Sequence, residues 1–95
     1  MSCAARGYVL ECYWPGVTEQ AVHEAVERAG LAAAELRRQG RDVSLRETIL
    51  VRSDETVFCL FDGREQDARA AGELAGIRFE RVLESAFFER RDHAG

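Results

Sequence analysis

Asp54-Glu55-Thr56-Val57-Phe58-Cys59-Leu60-Phe61, read with Tyr8-Val9-Leu10-Glu11-Cys12-Tyr13-Trp14-Pro15-Gly16-Val17-Thr18, decides how this chain folds. Residues 56–61 are apolar on both alternating faces, the pattern of a central strand covered on both sides. In residues 7–13, Tyr8, Leu10 and Cys12 fall on one face and Val9, Glu11 and Tyr13 on the other, again a strand. Trp14-Pro15-Gly16 ends it, since proline donates nothing to a ladder and glycine permits a turn.

Working outward, Thr18 is a helix N-cap with Glu19 in the first turn. The helix extends to about Gln39, and Val22, Val26, Ala29, Ala33 and Leu36 form its apolar stripe. Gly40 is the C-terminal stop. Gly30 within it costs about 1 kcal/mol against alanine, and reads as a point of close packing on a sheet. Residues 43–52 alternate as a strand, with Val43, Leu45, Glu47, Ile49 and Val51 on one face. Ser53-Asp54-Glu55 turns into the 56–61 strand, and Asp62-Gly63 turns out of it. A second helix over about 64–75 has a thin stripe, Ala68, Ala71, Leu74 and Ala75, and ends at Gly76. A last strand covers about 79–88, with Val82, Leu83, Ala86, Phe87 and Phe88.

The order βαββαβ is the ferredoxin-like α+β motif. Right-handed crossovers give a four-stranded antiparallel sheet with two helices on one face. One domain over residues 7–88 is expected, with flexible tails at 1–6 and 89–95. The doubly apolar third strand and Phe87-Phe88 require cover for the second sheet face. A second copy supplies it, so the expectation is a homodimer of the dimeric α+β barrel kind.

Composition narrows function. The chain has 95 residues, a formal net charge of −4 and 46% hydrophobic residues, which excludes disorder. No apolar run approaches the roughly 18 residues of a membrane span, and Met1-Ser2-Cys3-Ala4-Ala5-Arg6 lacks the apolar core of a secretion signal. A cytoplasmic protein without nucleic-acid or membrane partners is expected. All 13 basic residues are arginine, so Schiff-base catalysis by lysine is excluded. Arg37-Arg38 with Arg41, the densest basic spot, sits at a helix end and suits the helix dipole. The three cysteines have no metal-like spacing and no exporting signal, which suggests reduced thiols.

Three constellations carry chemistry. Glu11 and Glu84 interrupt apolar strands that neighbour each other in this topology. Facing a barrel interior beside Tyr13, they would act as general acid and base. Pairing with Arg46, Arg52 or Arg81 is the competing assignment. Trp14, Glu47, Phe58, Cys59, Phe87 and Phe88 are the candidate pocket residues. Glu19, His23 and Glu27 repeat every four residues on the first helix, and imidazole with carboxylate suits nickel or zinc. A solvated helix face is the alternative there. His93, in the charged tail, is a further metal candidate. Cys59, between Phe58 and Leu60, reads as an inert core thiol more than a nucleophile.

The runs Tyr8-x-x-Glu11-x-Tyr13-Trp14-Pro15-Gly16-Val17-Thr18, Asp54 to Phe61, and Gly76-Ile77-x-Phe79-x-Arg81-Val82-x-Glu84 occur in order across roughly residues 7–86. In this they resemble a family of small, uncharacterised bacterial ferredoxin-like proteins that includes nickel-binding members. The resemblance implies a dimeric α+β barrel, and metal binding in some members. Those members carry histidine near the end of strand two and in helix two, where this chain has Thr48-Ile49-Leu50-Val51 and Ala70-Ala71-Gly72-Glu73. Arg78 stands where a proline is usual. Glu11, Cys59 and Glu84 match the family pattern. The first expectation is therefore a binding module for a small ligand or a metal ion. The second is a cofactor-independent acid–base enzyme of the cyclase, isomerase or monooxygenase type in bacterial specialised metabolism.

Overall fold

The computed structural model of the chain describes residues 4–90. The outer parts of the two expected tails, and with them Cys3 and His93, lie outside the described residues. The elements are β1 (Ala4–Tyr13), α1 (Glu19–Arg38), β2 (Val43–Val51), a 3₁₀ turn (Arg52–Asp54), β3 (Thr56–Gly63), α2 (Glu65–Leu74) and β4 (Arg81–Phe88). The sheet order is β2-β3-β1-β4 with every pair antiparallel. This is the ferredoxin-like arrangement that the element order dictates, with both helices on one face. β1 starts three residues earlier than the hydropathy pattern places it, because Ala4, Ala5 and Arg6 pair with Phe88, Phe87 and Ala86.

The helix-covered face carries Leu10 and Cys12 of β1 and Val57, Cys59 and Phe61 of β3, all buried. Thr18 caps α1, its hydroxyl accepting from the Ala21 amide at 3.1 Å. The helix buries Ala25, Ala29, Ala32, Ala33 and Leu36, so small side chains bring it close to the sheet. α2 comes closer still. A Cβ at Gly72 would lie 2.5 Å from Leu10 Cδ2 and 2.9 Å from the Phe79 ring. The buried stripe of α2 is therefore Asp67, Ala68, Ala71 and Gly72, while Leu74 is 56% exposed. Asp67 is tolerated in that layer because Arg41 Nε donates to its Oδ1 at 2.7 Å. Close packing falls at Gly72 and not at Gly30, where a Cβ would meet nothing within 4 Å.

β2 departs from strict alternation. Leu45 pairs with Phe61 and Glu47 with Leu60, so Arg46 is the extra residue of a bulge. Val43 and Leu45 consequently share the helix-covered face with Thr48 and Leu50, while Glu47 and Ile49 face the other way. Arg46 reaches across that second face. Its guanidinium lies 5.2 Å from the Phe87 ring centroid and pairs with Asp62 at 3.0 Å and Glu89 at 2.8 Å. Phe87 in turn covers Gly7, where a Cβ would sit 2.6 Å from the ring.

Candidate functional site

A cavity of about 350 Å³ opens at one end of the helical layer. β1 contributes Cys12 and, as it leaves the sheet, Tyr13, Trp14 and Pro15; β3 contributes Val57 and Cys59. Ala25 and Arg28 of α1 and Gly76, Ile77 and Arg78 after α2 complete it. The space exists because α1 presents a methyl group at Ala25 where a larger side chain would fill the gap. Its walls are apolar. Its exposed rim carries Arg28 and Arg78.

Arg28 Nε donates to the Ala75 carbonyl at 2.9 Å, which ties α1 to the C-terminal end of α2. Neither Arg28 nor Arg78 has an acidic partner among the described residues. Six other arginines are ion-paired, Arg38 with Glu35, Arg41 with Asp67, Arg46 with Asp62, Arg52 with Glu19, Arg69 with Glu65 and Arg81 with Glu11, while Arg37 donates to the Val43 carbonyl.

The Trp14–Gly16 side of the mouth is held from the far end of the β2–β3 hairpin. The Glu55 carbonyl accepts from Trp14 N–H and its carboxylate accepts from Gly16 N–H, each at 2.7 Å. Glu55 adopts φ 48°, ψ 44° to do so, a left-handed conformation uncommon outside glycine and asparagine.

On the cavity floor two thiols meet. Leu10 pairs with Cys59 and Cys12 with Val57, which puts Cys12 and Cys59 on one face at diagonal positions. The Cys12 S–H donates to the Leu10 carbonyl at 3.8 Å. Cys59 beside it and burial push the Cys12 thiol up, and the Glu80 and Glu11 carboxylates add to this. Cys12 draws the Cys59 thiol below the ordinary range, with burial opposing this and Thr48 adding to it.

The expected carboxylate pair does not form. The β1–β4 register sets Glu11 opposite Arg81 and Tyr8 opposite Glu84. Alternation therefore sends Glu11 and Glu84 to opposite faces of the sheet. Glu11 is ion-paired with Arg81, and Glu84 is exposed on the edge strand. Tyr13 lies on Glu11's face, more than half exposed, with its amide donating to Glu80 Oε2 at 2.8 Å.

The candidate pocket residues also divide. Trp14 and Cys59 line the cavity. Glu47, Phe58 and Phe87 belong to the uncovered sheet face, and Phe88 is exposed at the end of β4. Glu19 and His23 border a shallow hollow with Thr48 and Arg52, whereas Glu27 borders a different one with Leu31 and Arg37. Glu19 is taken by Arg52. Among the described residues no three of His, Cys, Asp and Glu are grouped to hold a metal ion. Arg28, Arg78, Ala25 and Ile77 escaped sequence reasoning. The one available signal was Arg78, standing where the resemblance drawn from the sequence leads one to expect proline.

No protein-family model matches the chain, and no curated protein matches it. Among solved structures, the crystal structure of SCO4226 from Streptomyces coelicolor A3(2) is similar, with a TM-score of 0.66 and 17% sequence identity. The match covers 83% of this chain and 94% of that one. At that identity the likeness is one of fold. No helix among the described residues is long and apolar enough to cross a membrane.

Proposed function

We propose that this chain is a small-ligand-binding protein whose cavity takes a compact organic anion. The apolar body of the ligand lies against Trp14, Val57 and Ile77, and its carboxylate or similar group meets Arg28 and Arg78. The observation that carries the reading is the pair of guanidinium groups without acidic partners at the rim of an apolar cavity, in a chain of net charge −4. A volume of about 350 Å³ suits a small metabolite. Guanidinium forks match carboxylates in geometry and charge. The acid–base enzyme reading lacks its carboxylate pair and is not carried forward.

The test is a binding screen of aromatic and branched carboxylic acids against their own amides. The acids bind at least tenfold more tightly, and Arg28→Gln or Arg78→Gln each weaken them by about 10–100-fold, the size of a lost charge-assisted hydrogen bond. Equal affinity for acids and amides would overturn the assignment.

We further propose that the chain works as a homodimer joined through the uncovered sheet face. Val9, Phe58, Leu60 and Leu83 are half-buried there and Ile49 is exposed. An apolar surface of this kind is characteristic of an interface. Sedimentation of the full chain over a range of concentrations decides this, and a monomer throughout would remove the dimer. A reducing bacterial cytosol suits the free Cys12 and Cys59 thiols.

A further inference from the structure

We infer that Cys12 and Cys59 form a two-coordinate site for a soft, thiophilic d¹⁰ cation of the copper(I) class. The site lies on the cavity floor, yet it does not depend on the proposed organic anion, and each can fail without the other.

Four observations converge. First, both cysteines are buried on one sheet face at diagonal register positions, and each shifts the other's titration. Second, their diagonal placement disfavours a direct disulfide. Diagonal neighbours across an antiparallel pair have Cα atoms about 7–8 Å apart, beyond the roughly 7 Å at which bridging demands backbone movement. A linear S–metal–S unit, spanning twice a metal–sulfur bond of about 2.3 Å, suits a diagonal pair better than a disulfide does. Third, Thr48 stands directly opposite Cys59 in the β2–β3 register, on the same sheet face, with its hydroxyl buried. That hydroxyl finds no conventional hydrogen-bond partner, so it is available to a thiolate. Fourth, both cysteines line the cavity, which gives an ion a route from solvent past Arg28 and Arg78.

The chemistry balances without redox change. Two S–H bonds break, two metal–sulfur bonds form, and two protons leave to solvent. Two thiolates and a monovalent cation carry a net charge of −1. Thiolate donors select soft cations over nickel or magnesium, whose preferences run to nitrogen and oxygen. The absence of a third nearby His, Cys, Asp or Glu ligand among the described residues favours an ion content with two.

The experiment is anaerobic titration of the reduced full chain with copper(I) held by a competing chelator, followed by native mass spectrometry. One copper per chain is expected. Cys12→Ala and Cys59→Ala each lower the affinity at least 100-fold, while Cys3→Ala leaves it unchanged. Since either core variant can lose its fold, the unaltered chain supplies a second readout. Bound copper protects Cys12 and Cys59, but not Cys3, from alkylation in mapped peptides beyond the protection that burial gives them in the metal-free chain under the same mild denaturant. Retained copper in both single variants, no protection of the pair, or binding that requires Cys3 would each overturn the site.

Discussion

The two faces of the sheet solve the same problem in opposite ways. The helix-covered face is finished by small residues. Alanines at 25, 29, 32, 33, 68 and 71 and glycine at 72 let two helices settle on Leu10, Val57 and Phe61, and the cavity lies where they fall short. The other face is built from larger groups, Val9, Phe58, Leu60 and Phe87, with Arg46 drawn over part of it by its bulge. One face holds its burial within the chain. The other leaves Val9, Phe58, Leu60 and Leu83 half-buried and Ile49 exposed. The difference separates intrinsic stability from assembly, and mutations on the two faces should report on different equilibria.

Gly72→Val attacks the close approach directly. The added side chain collides with Leu10 and Phe79, and a loss of about 3 kcal/mol or more in urea denaturation is expected, the upper range for overpacking. A loss below about 1 kcal/mol would mean that α2 is free to ride outward. Next comes a matched pair. Leu10→Ala removes a side chain with 0% exposure and costs about 3 kcal/mol at every protein concentration. Leu60→Ala, on the other face, should cost an amount that grows with protein concentration under the proposed dimer, in which a partner would complete its burial. Concentration-independent midpoints for both variants would erase the distinction between the faces.

Arg41→Ala leaves the Asp67 carboxylate buried without its cation, and about 2 kcal/mol should be lost, with Arg41's partial exposure keeping the figure below that of a fully buried pair. Asp67→Asn tests the same contact while keeping the side chain's shape. The smallest effect runs the other way. Gly30→Ala should stabilise by about 0.5–1 kcal/mol, because a Cβ there enters open space and the helix gains propensity. Destabilisation would show that α1 is packed by something beyond the chain itself.

Much of the fold was legible because hydropathy periods and turn residues agree. Thr18, Gly40, Asp62-Gly63 and Gly76 mark element ends within a residue or two of where they fall. Faces were harder. One inserted residue at Arg46 reverses which side of β2 is buried, and a pattern of alternation contains no mark for a bulge. Register defeated the carboxylate pair in the same way, since the neighbourhood of β1 and β4 is readable but the offset that opposes Glu11 to Arg81 is not. In α2 the reading favoured Leu74 because hydrophobicity suggests burial, whereas the narrow gap over Leu10 selects for size, admitting Gly72 and excluding leucine. The cavity was half visible through Trp14 and Cys59. Its arginines sit on a helix and in a loop, where an unpaired guanidinium looks like any other surface charge.

Trp14 is the chain's only tryptophan, and it lines the cavity with its amide fixed to Glu55. The molecule thus carries an optical reporter at its own candidate site. Indole emission responds to local polarity and to nearby quenchers, so expulsion of water by an organic occupant and arrival of a heavy ion beside the sulfurs would leave different spectral signatures. A single untagged sample, followed at one excitation wavelength, could then distinguish an empty chamber from two chemically unlike guests.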